Sequence, residues 1–322
     1  MTAKDYILST VEKLKRPIRT EDIGSTQLED AIYAKVMSKK FRKLKPGDDC
    51  VKITKEAIRL FVKENKPVRI FQMFGGNKLW RFEEAPEIDW SELFSLTYFV
   101  EWSRLIASVY KPGVLFEYFS QDISVESLNN IPRSETNKYS ETFRELLKWI
   151  EPYLPDGVKV TYTRHYELFK NPDDYIKELE EAKGEILKKN KGKLPVLTDA
   201  MKAATELNVK LKPGQDKDPE WREKVELQHQ AIFETKTLKA ICDDPSKIWT
   251  CPTYYPDSVV TGSTKRSYAK FWAAVGALQK EGDSYAELVL TPKQLESAKF
   301  EWENIDIEGL SSKNFKRIRI LS

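Results

Sequence analysis

Cysteine and histidine are scarce here: three cysteines (Cys50, Cys242, Cys251) and two histidines (His165, His229) among 322 residues. An odd number of cysteines set far apart gives no disulfide framework and fits a reducing, cytoplasmic setting. Cys242 and Cys251 have only two histidines in the whole chain to complete a tetrahedral set, which speaks against a structural zinc site. No run of about 18 uncharged apolar residues occurs, so no membrane-spanning helix is expected. The opening residues, MTAKDYILSTVEKLKRP, are charged throughout and lack the apolar core of a signal peptide. Net charge is nearly absent too. The 53 Lys and Arg stand against 50 Asp and Glu, leaving +3, which exerts no global pull toward nucleic acid or membrane. Internal repeats and low-complexity segments are missing.

What is present describes a globular chain with a heavily charged surface: 40% hydrophobic and 32% charged residues, long enough for one large domain or two modest ones. Three apolar runs read as strands: VRIFQMF (68–74), VLFEYFS (114–120) and VKVTYT (158–163). The first two are apolar on both parities, as in a sheet covered on both faces. Between them lie helical stripes. One runs from Trp90 through Leu93, Phe94, Tyr98, Trp102, Leu105 and Ile106 to Val109, with Asp89 as cap and Glu92 placed for a capping box. The other holds Tyr139, Phe143, Leu146, Leu147 and Ile150. Alternation of this length predicts βαβ units, hence an α/β fold with a mainly parallel sheet and helices on both faces.

Residues 27–41 and 53–65 read as helices, giving a helical N-terminal lead. Residues 173–193 read as a charged, solvated helix, 190–219 as a linker or insertion, and 221–241 as a helix. The stripe Tyr268, Phe271, Trp272, Val275 and Leu278 predicts a further helix, with Gly282 as its C-cap. YAELVL (285–290) and RIRIL (317–321) are candidate strands in an otherwise irregular C-terminal half.

In open parallel sheets ligands bind beyond the carboxyl ends of the strands, which selects three loops. The first holds Gly75, Gly76, Asn77 and Lys78, with Arg81. Paired glycines allow positive φ and close approach to backbone amides, and the cations suit a phosphate or carboxylate. A structural turn with a solvated lysine explains the same residues. The second loop holds Ser120, Gln121, Asp122 and Arg133. Here Asp122 reads either as an amine-orienting group or base or as an Asx turn. The third holds Arg164, His165 and Glu167. TGSTKRS (261–267) is a second anion candidate, through Lys265 and Arg266 at an expected helix start. Trp80 can stack on a ring. The three strand ends are expected to share one cleft facing Gly75, Gly76, Asp122 and His165.

Two other functions are compatible with the residues. His165, Glu167 and His229 follow the order of a two-His-one-carboxylate Fe2+ site, an iron oxygenase reading that the βαβ pattern opposes. The charged helix 173–189 and the Lys-rich 187–193 would serve a non-catalytic binding protein. The balanced charge speaks against nucleic acid as its partner.

Residues 25–150 carry a familiar order: KFRK, a helix, FVKENKPVRIF, a loop with Lys78, PEIDWSELFSLTYF, YKPGVLFEYFSQD and IPRSETNKYSETFRELL. In this order they resemble the isocyanide (isonitrile) synthase family of pyoverdine and dityrosine biosynthesis. The resemblance covers about 40% of the chain. It implies a Rossmann-like sheet, and conversion of the amino group of an aromatic amino acid to an isocyanide with ribulose 5-phosphate as carbon donor. Where the family has Phe-Pro-x-Lys-Ser, this chain has Phe74-Gly75-Gly76-Asn77-Lys78. Where it has Ser-Asp-Gly, this chain has Ser120-Gln121-Asp122. No family signature is seen after residue 170.

The domain organisation expected is 1–170 as N-terminal helices plus a Rossmann-like βαβαβ core and 171–220 as charged helix and linker. Residues 221–322 then complete the same domain or form a small second lobe. The function expected is a cytoplasmic biosynthetic enzyme for a small molecule, an amino acid with a phosphorylated sugar or similar anion, without metal or cofactor. Lys78, Asp122 and His165 would be its catalytic residues. Gly75, Gly76, Asn77, Arg81, Ser120, Arg164, Lys265 and Arg266 would contact substrate.

Overall fold

The computed structural model describes residues 1–194, 205, 208–210, 218–251, 258–262 and 268–322. Three helices lead: α1 (Ala3–Glu12), α2 (Leu28–Val36) and α3 (Asp48–Glu64). α1 starts on a Thr2–Asp5 capping box. α3 carries Asp48 and Asp49 in its first turn, where the helix dipole favours them, and stops at Asn65 with φ 52°.

Strands and helices then alternate: β1 (Val68–Phe74), α4 (Trp90–Ala107), β2 (Val114–Ser120), α5 (Asp122–Asn129), α6 (Arg133–Ile150), β3 (Val158–Arg164), α7 (Pro172–Lys189), α8 (Pro219–Glu234), α9 (Lys236–Cys242), β4 (Ile248–Cys251) and β5 (Val259–Val260). The expected capping box on α4 is present, with Asp89 and Glu92 each accepting from the other's backbone. These five strands make one parallel sheet in the order β3-β2-β1-β4-β5.

The two parities of β1 feed two separate cores, which is why that strand is apolar on both parities. Val68, Ile70 and Phe74 pack with α2, α3, α4 and α6. Phe71 and Met73 pack on the opposite face with Tyr175 and Leu179 of α7, Ile232 of α8 and Leu238 of α9. Helices thus cover both faces, and the chain is an α/β protein.

The remainder is more regular than its sequence suggests. After a 3-10 turn at Tyr268–Ala273 come β6 (Val275–Glu281), β7 (Ser284–Leu290), α10 (Pro292–Ser297), β8 (Phe300–Asn304) and β9 (Arg317–Leu321). They form a second, mixed sheet in the order β7-β6-β9-β8. The helix expected over Tyr268–Leu278 is therefore corrected. Tyr268, Phe271 and Trp272 follow helical spacing and are buried from a 3-10 turn, but Val275 and Leu278 belong to a strand. Gly282, at φ 60°, opens the two-residue hairpin loop with Asp283 and caps no helix. The helix expected over 221–241 is broken at buried Thr235, whose hydroxyl turns back to donate to Ile232 O (2.8 Å). No helix among the described residues is long and apolar enough to cross a membrane.

Candidate functional site

Parallel pairing brings the carboxyl ends of the strands to one edge. Its register sets Phe74, Ser120 and Arg164 side by side in a single row. The chain lays down β1, β2 and β3 in one direction and then returns to place β4 against the other side of β1. β1 and β4 therefore flank the topological switch point, the crevice where open α/β sheets bind ligands. Gly75 and Gly76 leave the central strand at this point, as expected. The switch, however, opens toward β4, while Asp122 and His165 lie toward β2 and β3.

The loop after β1 is held from below. Lys78, wholly buried, donates from Nζ to Asp89 Oδ1 (2.9 Å), Ser91 Oγ (2.8 Å) and both Glu92 oxygens (2.7 Å each). Glu92 also accepts from the Tyr139 hydroxyl (2.8 Å) and from Asp89 N (2.8 Å). The ammonium thus has two carboxylates where a bound anion was expected. It pins the turn Asn77–Trp80 to the start of α4. Burial, with the charge of Asp89 added, pushes the Glu92 carboxyl up to about 7 against the pull of Lys78. β6 closes the cluster: Gly276 N donates to Asp89 Oδ2 (3.2 Å). A Cβ at Gly276 would stand 2.4 Å from Trp90 Cβ and 2.6 Å from Ser91 N.

Gly76 adopts φ −120°, so positive φ is not what it supplies. It supplies space, since a Cβ there would meet Val125 of α5 and Leu79 at 3.0 Å each. Asn77 opens the turn that follows. Arg81 lies with its guanidinium 5.8 Å from the Trp80 ring, and burial lowers its pKa.

Asp122 ties two loops together. Its Oδ1 accepts from Ile123 N (2.8 Å) and Tyr166 N (3.0 Å), and its Oδ2 pairs with Arg164 Nε. Burial raises its pKa in spite of Arg164. His165 has no exposed surface and sits among Phe119, Phe169 and Tyr175, with ring centroids 5.4–5.5 Å away. Its Nδ1 meets Ser124 Oγ at 3.2 Å, and burial pushes its pKa down to about 4, so the ring is neutral. It therefore belongs to the core under α7 and does not face the cleft beside Gly75.

The iron triad is not assembled. Glu167 pairs with Arg144 and accepts from Arg164 N (3.1 Å), while His229 meets Thr205 Oγ1 (2.9 Å) and Asn208 Nδ2 (3.4 Å). Among the described residues no group of three or more His, Cys, Asp or Glu is placed to hold a metal. Lys265 and Arg266 lie outside the described residues.

Two features of this edge escape sequence reasoning. Lys270, half-buried in the 3-10 turn beside the loop after β1, feels the charge of Lys43 and has no carboxylate partner among the described residues. Burial, reinforced by Lys43, lowers its pKa. Gln121 Nε2 and Arg164 Nη2 are buried without hydrogen-bond partners among the described residues. The signal for Lys270 was hidden because its stretch shows helical spacing. β4, which creates the switch point, spans only Ile248–Cys251.

The edge and the strand order define a Rossmann-like α/β protein with its candidate ligand site at the carboxyl ends of the parallel strands. The PvcA protein from Pseudomonas aeruginosa, known from a crystal structure, is similar in fold. The TM-score is 0.63 at 15% sequence identity, over 92% of this chain and 100% of that one. No protein-family model matches the sequence. Nor does any curated protein.

Proposed function

We propose that this chain is a small-molecule biosynthetic enzyme of the isocyanide synthase type, acting on an amino acid with a phosphorylated sugar or similar anionic co-substrate. The observation that carries this reading is where the resembling segment lies in the fold. Residues 25–150 supply β1, α4, β2, α5 and α6, and with them the buried Lys78 cluster and the Ser120–Asp122 corner. The fold shared with PvcA supports it.

In this reading Lys78, Asp122 and His165, first expected as catalytic, are positioning residues, because each is buried and engaged with protein partners. Gly75, Gly76, Ser120 and Arg164 remain at the rim as substrate contacts. The anion meets Lys270 and Lys43, whose charges have a use there that a paired ammonium such as Lys78 lacks.

Incubation with L-tyrosine and carbon-labelled ribulose 5-phosphate, followed by mass spectrometry, tests the reaction. The expected product is an isocyanide carrying label from the sugar. Lys270→Met should raise KM for the sugar phosphate by about tenfold, as loss of one charged contact does, with a smaller effect on kcat. Absence of labelled product together with no sugar-phosphate-induced thermal shift would reject the proposal.

A further inference from the structure

We infer that residues 39–45, which run beside the outermost strand of the parallel sheet, form a docking surface for an acidic face of another protein. Five of these seven residues are cations: Lys39, Lys40, Arg42, Lys43 and Lys45. The whole chain carries +3, so everything outside the segment sums to −2. Among the described residues none of the five is paired with a carboxylate. The acids nearest in sequence are engaged elsewhere: Asp30 pairs with Lys55, and Asp48 and Asp49 sit in the first turn of α3. The fold also holds the segment in place. Phe41 is buried against Tyr98 and Trp102, with ring centroids 4.9 and 6.0 Å away. Lys43 N donates to Val260 O (2.8 Å), Gly262 N donates to Phe41 O (3.0 Å), and Arg42 bridges to Thr261. The segment is thus tied to the outer end of the sheet, where β5 is the last strand. A backbone fixed in this way cannot carry the charges apart, and a partner of opposite sign relieves their repulsion.

The side chains on the segment select the kind of partner. Lys39, Lys40, Lys43 and Lys45 are exposed, and Leu44 among them is 43% exposed. The one ring, Phe41, is buried and offers no face on which a nucleic-acid base could stack. The one guanidinium, whose fork would clasp a phosphate, is engaged with main-chain carbonyls: Arg42 Nε donates to Met37 O (3.2 Å) and Nη1 to Leu44 O (2.6 Å). Ammonium groups around an exposed leucine match carboxylates around an apolar side chain, the rim and centre of a protein interface. Lys43 is also the charge that Lys270 feels, so the partner would sit beside the edge where substrate is proposed to bind. The docking surface does not depend on which reaction takes place there.

Fluorescence anisotropy at low salt tests it with three probes of equal charge: an amphipathic peptide of Glu and Leu, the same peptide with Ser for Leu, and oligo(dT). Wild type should bind the Glu/Leu peptide most tightly. Lys39→Glu, Lys40→Glu and Lys45→Glu combined should weaken it by about thirtyfold or more, the loss expected when three surface pairs turn repulsive. Leu44→Ser should remove the preference for the leucine peptide, about fivefold, as partial burial of one leucine implies. Lys188→Glu with Lys189→Glu, exposed at the end of α7, should change nothing. All these positions are on the surface, so denaturation midpoints should match wild type. No peptide binding, binding that survives the triple reversal, or equal loss in the α7 variant overturns the inference. Oligo(dT) binding as tightly as the Glu/Leu peptide would overturn it in favour of nucleic acid. The peptides are read on enzyme without substrates, so failure of the isocyanide reaction leaves this result untouched.

Discussion

Lys78 shows how little a residue's type says about its partner. From the sequence it is a cation in a glycine loop after a strand, the setting of an anion ligand. In the fold its ammonium is buried against Asp89 and Glu92, and removing it would strand two carboxylates out of water. Lys78→Met should therefore lower unfolding free energy by about 3–5 kcal/mol, measured by urea denaturation at pH 8. The loss should shrink at pH 5, where Glu92 can take up a proton. Glu92 itself has a folded pKa of about 7 against an ordinary 4.5. The folded state thus holds a proton that the unfolded chain has released, and this contribution to stability, complete below pH 4.5, is lost as pH rises toward 7. In Glu92→Gln that fall should vanish. His165 and His229, pushed down to about 4, act oppositely as pH falls below their ordinary 6.5. The difference between variant and wild type cancels them. A difference curve flat from pH 4.5 to 7 would contradict the assignment to Glu92.

At the level of elements, periodicity served where one face is buried by one kind of neighbour. β1, β2, α4 and α6 match their sequence patterns closely, because each packs against a continuous layer. Tyr268–Leu278 was misread because a 3-10 turn and the start of a strand together mimic a helical stripe. Nothing local marks that β6 must run against α4. The contact depends on Gly276, where any side chain meets the backbone of Trp90 and Ser91. Gly276→Ala should therefore destabilise the protein by several kcal/mol, more than the ~1–3 kcal/mol typical of overpacking against movable side chains. Gly76→Ala, which meets the side chains of Leu79 and Val125, belongs to that milder class. Thermal unfolding of the two variants side by side checks the order. Equal losses would mean that α4 and β6 can move apart.

For the whole molecule, the strand order decides where the site lies, and it was legible only in part. Three parallel strands with carboxyl ends on one edge follow from the crossover helices. The return of β4 to the far side of β1 does not, because β4 is four residues long and its pairing with Ile70–Gln72 joins residues 178 positions apart in the sequence. The carboxyl edge thus acquires a cation side at Lys43 and Lys270, beside Gly75 and Gly76 at the end of β1. The opposite edge carries a groove of about 640 Å3 lined by Pro17, Ile18, Val109, Pro155 and Gly157. The central claim is that substrate binds at the carboxyl edge. A crystal structure of the protein soaked with L-tyrosine and ribulose 5-phosphate tests it most directly. The account predicts density beyond Phe74 and Ser120, with a phosphate at Lys270. Density confined to the groove beside Gly157 would contradict it.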